Sequence, residues 1–258
     1  MTPRPGHLEQ PVLDTLRALR VAYPNARISM IGARALAFHL SMTWRHTSDI
    51  DVVLTIALDE LADAEKKLVG WRRLDTPKWI AANGVKVDMI PAPADALAKR
   101  ELIWSDGARM NLAGVAVALA NRSHMLSDEL DISVAPVAVI ALLKMTAYLD
   151  RPFEREKDLR DLANILNDYP SNDDDRLFED EFYDAGLTEE QRRGAILARE
   201  IAQLIDDDDR AVVNAFIAKM HRDSQYWSRF VSASPWRNDE DRLALHFDAF
   251  CKRFTAVP

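Results

Sequence analysis

The spacing of apolar residues changes near residue 134, and this change constrains the fold more than any other feature of the sequence. Before it, segments with helical spacing alternate with short β-branched and apolar runs. After it, only segments with helical spacing follow. The sequence therefore predicts an α+β or α/β domain over residues 1–133 and a helical domain over residues 134–258.

The first domain is predicted to alternate between helices and strands. Its helices are expected at residues 8–21, 33–40 and 58–68, and its strands at 27–31, 50–56, 71–74, 79–82, 85–90 and 115–119. Asn83-Gly84 lies between two of these strands, and Asn-Gly in such a position is the strongest short signal for a β-hairpin. The sequence therefore predicts an antiparallel hairpin within this domain.

The second domain is predicted to contain five helices, at residues 136–149, 155–166, 188–205, 207–220 and 239–254. Pro136 suits the first turn of a helix, because its missing N–H is not needed there. Thr188, followed by Glu190 and Gln191, is a typical helix start. A connection rich in Asp, Asn and Ser is expected at 167–175, and a loop with Ser, Pro and Trp residues before 239.

The composition is that of a globular protein with a substantial core, since the chain has 258 residues, 48% hydrophobic and 29% charged. No stretch approaches the roughly 18 uncharged apolar residues of a membrane span, and the N-terminus lacks the apolar region of a secretory signal. Cys251 is the only cysteine, so a cytoplasmic location is expected. The net charge of −8 argues against a broadly basic surface for nucleic acid, but it leaves room for a local basic groove.

Asp49 and Asp51 precede a run of buried-strand character, Val-Val-Leu. Residues two apart in a strand point to the same face, and neighbouring carboxylates repel each other unless a cation neutralises them. Oxygen ligands suit Mg²⁺, and two such ions roughly 3.5–4 Å apart serve in enzymes that transfer phosphoryl or nucleotidyl groups. For a bare Asp-x-Asp, the alternative of solvated aspartates or a helix cap is the commoner one.

Two further segments bear on the choice between a metal site and solvated aspartates. Gly32 separates a predicted strand from a predicted helix, and the backbone N–H groups of such a turn can bind a phosphate. Asp88 shares one face of a predicted strand with Lys86. A lone strand aspartate is usually solvent-facing. In a sheet that brings this strand beside residues 50–56, however, Asp88 completes a triad of carboxylates.

These elements, in this order, resemble the nucleotidyltransferase superfamily. That superfamily has a strand–Gly-(Gly/Ser)–helix turn, then Asp-x-Asp, then a third acidic residue on a later strand. The run Arg45-x-Thr47-x-Asp49-x-Asp51 looks more particularly like the AbiEii/MNT-type toxin branch. The helical segments 141–151 and 156–162 are similar to that branch too, and the resemblance spans roughly residues 27 to 166.

The resemblance implies a mixed β-sheet core flanked by helices and followed by a helical domain. It implies that Asp49, Asp51 and Asp88 are the catalytic residues and the ligands of two Mg²⁺ ions. The residues that it assigns to the nucleotide are Gly32, Ala33, Arg34, Lys144 and Asp158. The expected cosubstrate is an NTP.

The sequence departs from the family pattern at Ala33, where a Gly or Ser is usual, because Ala33 cannot donate a hydroxyl hydrogen bond to a phosphate. Arg34 either replaces that contact or points to solvent. Lys144 either reaches a triphosphate or extends along an apolar helix face with its amine in water. Asp158 and Asp161 either orient Lys144 or a substrate, or pair with the basic residues beside them.

The remaining polar and aromatic residues suggest no other chemistry. Arg45 is a candidate phosphate contact, and Thr47 a residue that steadies the start of the strand, although either can be purely structural. His39 and His46 have no partners at zinc-ligand spacing, and no nucleophile-elbow pattern occurs. The aromatic residues Tyr226, Trp227 and Trp236 are expected to pack the C-terminal helices rather than to stack on bases. Residues 173–175 are expected to be a solvated acidic surface.

Three hypotheses follow from the sequence. The first is an Mg²⁺-dependent enzyme that moves a nucleotide from an NTP to a hydroxyl on RNA, such as tRNA, or on protein. In the resembling branch a toxin–antitoxin setting is common, with an antitoxin protein as partner. The second is a weakly active or inactive relative that binds a nucleotide or a protein partner, which Ala33 favours. The third is an α/β domain of unrelated function in which the carboxylates never meet.

Overall fold

A six-stranded mixed sheet organises the first part of the chain in a computed structural model that describes residues 6–75, 77–127, 129–237 and 239–256. The chain divides into two compact units, Met1–Pro136 and Val137–Pro258. The sheet belongs to the first unit, and the second unit is helical. The described part of the chain contains no helix with the length and apolar character needed to cross a bilayer.

The strands of the sheet are β1 (Ile28–Ile31), β2 (Asp49–Leu54), β3 (Arg72–Asp75), β4 (Lys78–Ile80), β5 (Lys86–Pro91) and β8 (Ile132–Val134), while β6 (Glu101–Ile103) and β7 (Arg109–Asn111) form a separate antiparallel pair. The order of strands across the sheet is β3-β4-β5-β2-β1-β8. β2 lies parallel to β5 and antiparallel to β1, and β1 lies parallel to β8. The β3–β4 and β4–β5 pairs are antiparallel. The predicted mixture of strands and helices in this unit is confirmed.

The helices of the first unit come before and between these strands along the chain. They are α1 (Gln10–Ala22), α2 (Gly32–His39), α3 (Leu58–Ala62), α4 (Ala64–Lys67), α5 (Ala94–Lys99) and α6 (Val115–Ala120). The predicted hairpin is confirmed, because β4 and β5 are antiparallel and Gly84 N donates to Ala81 O at 2.9 Å. Gly84 has a φ of +87°, a conformation that glycine adopts without strain.

The strand predicted at 115–119 is wrong, because these residues form α6. The alternation of Val and Ala imitates a strand, but Gly114 takes a left-handed conformation with φ +80° and starts a helix. Val115, Ala118 and Leu119 are then buried at helical spacing. The helical segment predicted at 58–68 is confirmed, and it is divided into α3 and α4 at Asp63. β6, β7, β8 and α5 were not predicted, as each has only three to six residues.

The second unit consists of helices around an aromatic and aliphatic core. They are α7 (Val137–Asp150), α8 (Glu156–Asp168), α9 (Asp180–Asp184), α10 (Glu189–Leu204), α11 (Asp207–Lys219), α12 (Gln225–Ala233) and α13 (Glu240–Ala256), with a 3₁₀ turn at Asp175–Phe178. The five predicted helices are confirmed within a few residues. The predicted capping of α10 is confirmed too: Gln191 N donates to Thr188 Oγ at 3.4 Å, and Thr188 N donates to Gln191 Oε1 at 3.0 Å.

The loop predicted before residue 239 is wrong over α12. Ser224 caps this helix by accepting a hydrogen bond from Trp227 N at 3.0 Å. Trp227, Phe230 and Ala233 recur at helical spacing and are buried. Trp227 and Trp236 are only 1% and 9% exposed, so the prediction that these two tryptophans pack the C-terminal helices is confirmed.

A close helix–helix contact shapes the core of the second unit. A Cβ built on Gly194 of α10 would lie 3.1 Å from both the carbonyl carbon of His246 and the amide nitrogen of Phe250 on α13. The His246 ring is 1% exposed and stacks on Trp236, with ring centroids 4.6 Å apart. Burial lowers the pKa of His246 to about 4.

We expect stability to fall between about pH 6.5 and pH 4, because the unfolded chain binds a proton at His246 in that range and the folded chain does not. Burial also lowers the pKa of His39 to about 4, which adds to the effect. Urea unfolding monitored by circular dichroism at pH 7.5 and pH 5.0 measures the loss. His246→Phe should show a smaller loss than the wild-type protein. An equal loss in the two proteins would contradict the assignment to His246.

Candidate active site

The pairing of β2 with β5 brings two of the predicted site residues side by side. The strands are parallel, Asp51 is the register partner of Asp88, and Asp49 is the register partner of Lys86. Register partners on neighbouring strands project from the same face, and the strands lie about 4.8 Å apart. Since Asp49 is two residues from Asp51, all three carboxylates lie on one face of the sheet.

The carboxylates lie where this face opens to solvent. β2 and β5 share one burial pattern, with the first residue exposed, the third half-buried and the last three buried. Asp49 is therefore exposed, and Asp51 and Asp88 are half-buried. Asp49 Oδ1 accepts a hydrogen bond from Ser48 N at 3.2 Å. We call the three carboxylates the carboxylate rim. They lie at the solvent-exposed end of the two strands, whose last three residues are buried.

Gly32 approaches Asp51 closely from the neighbouring strand. Ile31 is the register partner of Asp51, and Gly32 follows it as the first residue of α2. A Cβ on Gly32 would lie 2.7 Å from Cγ of Asp51 and 3.0 Å from its Cβ. The absence of a side chain therefore lets the Asp51 carboxylate lie against the N-terminal turn of α2, whose first N–H groups have no partner within the helix.

The two residues after Gly32 are buried. Ala33 is 5% exposed and Arg34 is 8% exposed. Arg34 Nη1 donates to Glu9 Oε2 at 3.0 Å, and Arg34 Nη2 donates to the Thr47 carbonyl at 2.9 Å. The alternative that Arg34 points to solvent is therefore wrong. Its guanidinium instead ties the segment before β2 to the residue before α1.

Lys144 lies in the second unit, within an ion cluster. Lys144 Nζ donates to Asp158 Oδ1 at 3.2 Å and to Asp161 Oδ2 at 2.5 Å. Lys144 and Asp158 are each 5% exposed, and Asp161 is fully buried. The alternative that the Lys144 amine extends into water is therefore wrong. Both aspartates hold the Lys144 amine, which is one of the alternatives for these two residues. Arg155 Nη1 also lies 3.9 Å from Asp158 Oδ2.

The oxygen atoms at the carboxylate rim fit a hard divalent cation. Within the described ranges, no group of three or more His, Cys, Asp or Glu side chains is arranged to hold a metal ion. Asp51 and Asp88 form an adjacent pair, and Mg²⁺ is commonly bound by one or two carboxylates together with water and substrate phosphates. The pair fits that mode of binding, in which the substrate supplies the remaining ligands.

Two cations lie beside these carboxylates, and the sequence placed only one of them. Lys86 is the register partner of Asp49, and Lys78 is the register partner of Asp88. The alternation in β5 had already placed Lys86 on the face of Asp88. Lys78 could be placed only with the register of the β4–β5 hairpin, which depends on the turn.

Protein-family models give no match to this sequence, and no similar sequence is found among curated proteins. What the site can do is therefore inferred from its residues and their geometry.

We expect Gly32→Ala to destabilise the protein, because the new methyl group displaces the Asp51 carboxylate and the φ of +70° strains an L-residue. The overlap should cost about 1–3 kcal/mol beyond the backbone strain. Gly107→Ala is the matched control, since its φ is +85° and nothing lies within 4 Å of the added Cβ. If urea unfolding gave equal losses for the two variants, the close approach would be disproved.

We expect Lys144→Met to lower the free energy of unfolding by about 3–5 kcal/mol, because it removes the ammonium group that lies between two buried carboxylates. Lys157→Met, at an exposed position of the neighbouring α8, should change stability by less than about 0.5 kcal/mol. Chemical denaturation compares the two variants. A loss below about 1 kcal/mol for Lys144→Met would show that the cluster contributes little to stability.

Proposed function

We propose that this protein is an Mg²⁺-dependent nucleotidyltransferase that moves a nucleoside monophosphate from an NTP to a hydroxyl on RNA or protein. One observation carries the proposal. Asp51 and Asp88 are register partners on parallel strands, with Asp49 on the same face and the Gly32 turn of α2 against Asp51. The proposal also rests on the ordered motifs that resemble the AbiEii/MNT-type branch of the nucleotidyltransferase superfamily.

The N-terminal turn of α2 supplies a place for the triphosphate. Its backbone N–H groups and the helix dipole favour an anion. Gly32 lets the Asp51 carboxylate, which would hold the cation, lie close to this turn. Ala33 and Arg34 add little here, because Ala33 has no donor and Arg34 is held by Glu9 and Thr47. Nucleotide binding at this turn therefore depends on backbone groups.

The carboxylates are assigned to cation binding and to acceptance of a proton. Asp51 and Asp88, with Asp49 at the exposed edge, would hold Mg²⁺, which supplies charge neutralisation for the phosphates when bound. Asp88 lies on the side of Asp51 away from Gly32, and it accepts the proton of the attacking hydroxyl. Catalysis of this kind consists mainly of positioning and electrostatic stabilisation.

The role of Lys144 and Asp158 in nucleotide binding remains part of the proposal. In the second unit Lys144 is held between Asp158 and Asp161, so it would act as a fixed point charge rather than as a mobile one. An antitoxin protein as partner follows from the resemblance alone.

The second candidate is an inactive relative that binds a nucleotide. It is favoured by Ala33 and by the engagement of Arg34 with Glu9 and Thr47, which together leave the α2 turn without a side-chain donor to phosphate. Such a protein would bind an NTP with Mg²⁺ and transfer nothing. Binding and transfer therefore have to be measured separately.

We expect labelled NTPs, incubated with Mg²⁺ and with either total RNA or cell extract, to label an acceptor. Asp51→Asn and Asp88→Asn should each lower this labelling by about 100-fold or more, because each removes a charge at the reacting phosphate. Asp95→Asn, at an exposed position of α5, is the matched control and should keep full activity.

Three results would count against the enzyme. Labelling that persists in Asp51→Asn would remove the assigned site. Binding of NTP without labelling of either acceptor mixture would favour the inactive relative. Absence of both binding and labelling would favour an unrelated α/β domain.

A further inference from the structure

Two lysines lie directly beside the carboxylates on the same face of the sheet. Lys78 on β4 is the register partner of Asp88, and Lys86 on β5 is the register partner of Asp49. Register partners project together from the sheet. The carboxylate rim is therefore bordered by cations on its β4 and β5 side.

Arg72 extends this basic border to the edge strand. It is the register partner of Ile80, which lies two residues from Lys78 and therefore on the same face. Arg72, Lys78 and Lys86 thus surround Ile80, and we call these three residues the basic border. Asp75 is the register partner of Lys78 on β3.

The cations of the basic border are available to a ligand. All three side chains are exposed. Cross-strand ion pairs with the neighbouring aspartates would be the ordinary structural role for such residues. Among the described residues, however, none of the three makes an ion pair. Their charges are therefore directed to solvent beside the site.

Different groups lie on the two sides of Asp51 in the sheet. Gly32 and the α2 turn lie on the β1 side of Asp51, whereas Asp88 and Lys78 lie on its β5 and β4 side. In phosphoryl transfer the attacking and leaving oxygens are roughly in line on opposite sides of phosphorus. If the triphosphate lies at the α2 turn, the acceptor hydroxyl arrives from the side of the basic border.

We infer that the basic border binds the phosphodiester backbone of an RNA acceptor, an inference that rests on the proposed nucleotidyltransferase function. Diagonal neighbours such as Lys78 and Lys86 are about 7–8 Å apart, a separation comparable with that of successive phosphates along a strand. A protein acceptor would not need three clustered cations. The chain as a whole carries a net charge of −8, so a cluster of three cations is a local exception that favours an anionic ligand at this place.

In the transfer that this arrangement serves, an RNA hydroxyl displaces pyrophosphate from the NTP. A ribose hydroxyl oxygen at the end of the RNA forms a bond to the α-phosphorus of the NTP. The bond between that phosphorus and the bridging oxygen breaks, and pyrophosphate leaves with the electron pair. The hydroxyl proton passes to the Asp88 carboxylate and then to solvent. Arg72, Lys78 and Lys86 act as positioning residues, because they hold the acceptor rather than the reacting atoms.

The test compares two triple variants with equal changes of charge. Arg72→Ala/Lys78→Ala/Lys86→Ala removes the basic border. Lys66→Ala/Lys99→Ala/Arg109→Ala removes three exposed cations elsewhere in the first unit. Binding of labelled total tRNA is measured between 50 and 200 mM salt without NTP, and NTP binding is measured separately with Mg²⁺.

We expect the first triple variant to bind RNA at least about 10-fold more weakly and to lose about 2 from the slope of log K against log salt, since each phosphate contact contributes roughly 0.7–0.9. NTP binding should be unchanged, and the control variant should bind RNA like the wild-type protein. In transfer assays with RNA, KM for RNA should rise while KM for NTP stays constant.

The inference is overturned if the first triple variant binds RNA normally, or if it loses NTP binding, which would assign the cations to the triphosphate. It is also overturned if label enters protein at the same rate in the variant and the wild type, and RNA does not compete. The last result would leave the proposed function intact. Conversely, if the variant loses RNA binding while even the wild-type protein transfers no nucleotide, the proposed function fails and the RNA-binding surface stands.

Discussion

The parallel pairing of β2 with β5 places Asp51 beside Asp88, and the rest of the site is arranged around that pair. Two carboxylates at neighbouring positions repel each other, and burial would make the repulsion more costly. The structure limits this cost by leaving the third position of each strand half-buried and the first exposed, while the last three residues form the core. The same arrangement leaves the pair partly exposed to solvent.

The Gly32 turn and the basic border act on opposite sides of this pair. On the β1 side, a glycine allows the Asp51 carboxylate to lie against a helix N-terminus. On the β4 side, the exposed Lys78 is the register partner of Asp88 on the neighbouring strand. A site that is negative at its centre and positive on both sides agrees with the proposed binding of a phosphate-bearing substrate together with a cation. This polarity supports the proposed direction of the transfer.

The ion cluster of Lys144, Asp158 and Asp161 differs from the Asp51–Asp88 pair because it is buried. Its groups are almost fully buried, so the desolvation of each charge has to be offset by close pairing. Such a cluster seldom contributes net stability relative to an apolar core, but it restricts the side chains to one arrangement. The second unit therefore contains a lysine whose position is determined by α8.

Several features were predictable from the sequence because they depend on local geometry. Asp49 and Asp51 share a face because strands have a two-residue period. The Asn83-Gly84 turn and the Thr188 cap depend on the conformations of a few adjacent residues. The order of helices and strands up to β5 followed from the same local periodicities.

Other features were decided only by the tertiary structure, because they depend on residues distant in the chain. The register that pairs Asp51 with Asp88 joins strands more than thirty residues apart, and a shift by one residue would have turned Asp88 to the opposite face. The helix at residues 115–120 depends on the left-handed conformation of Gly114 and on burial of one face. The burial of Lys144 and of Arg34 likewise follows from partners on other elements. The sequence by itself determined which carboxylates share a strand face, and packing between distant segments determined which groups meet there.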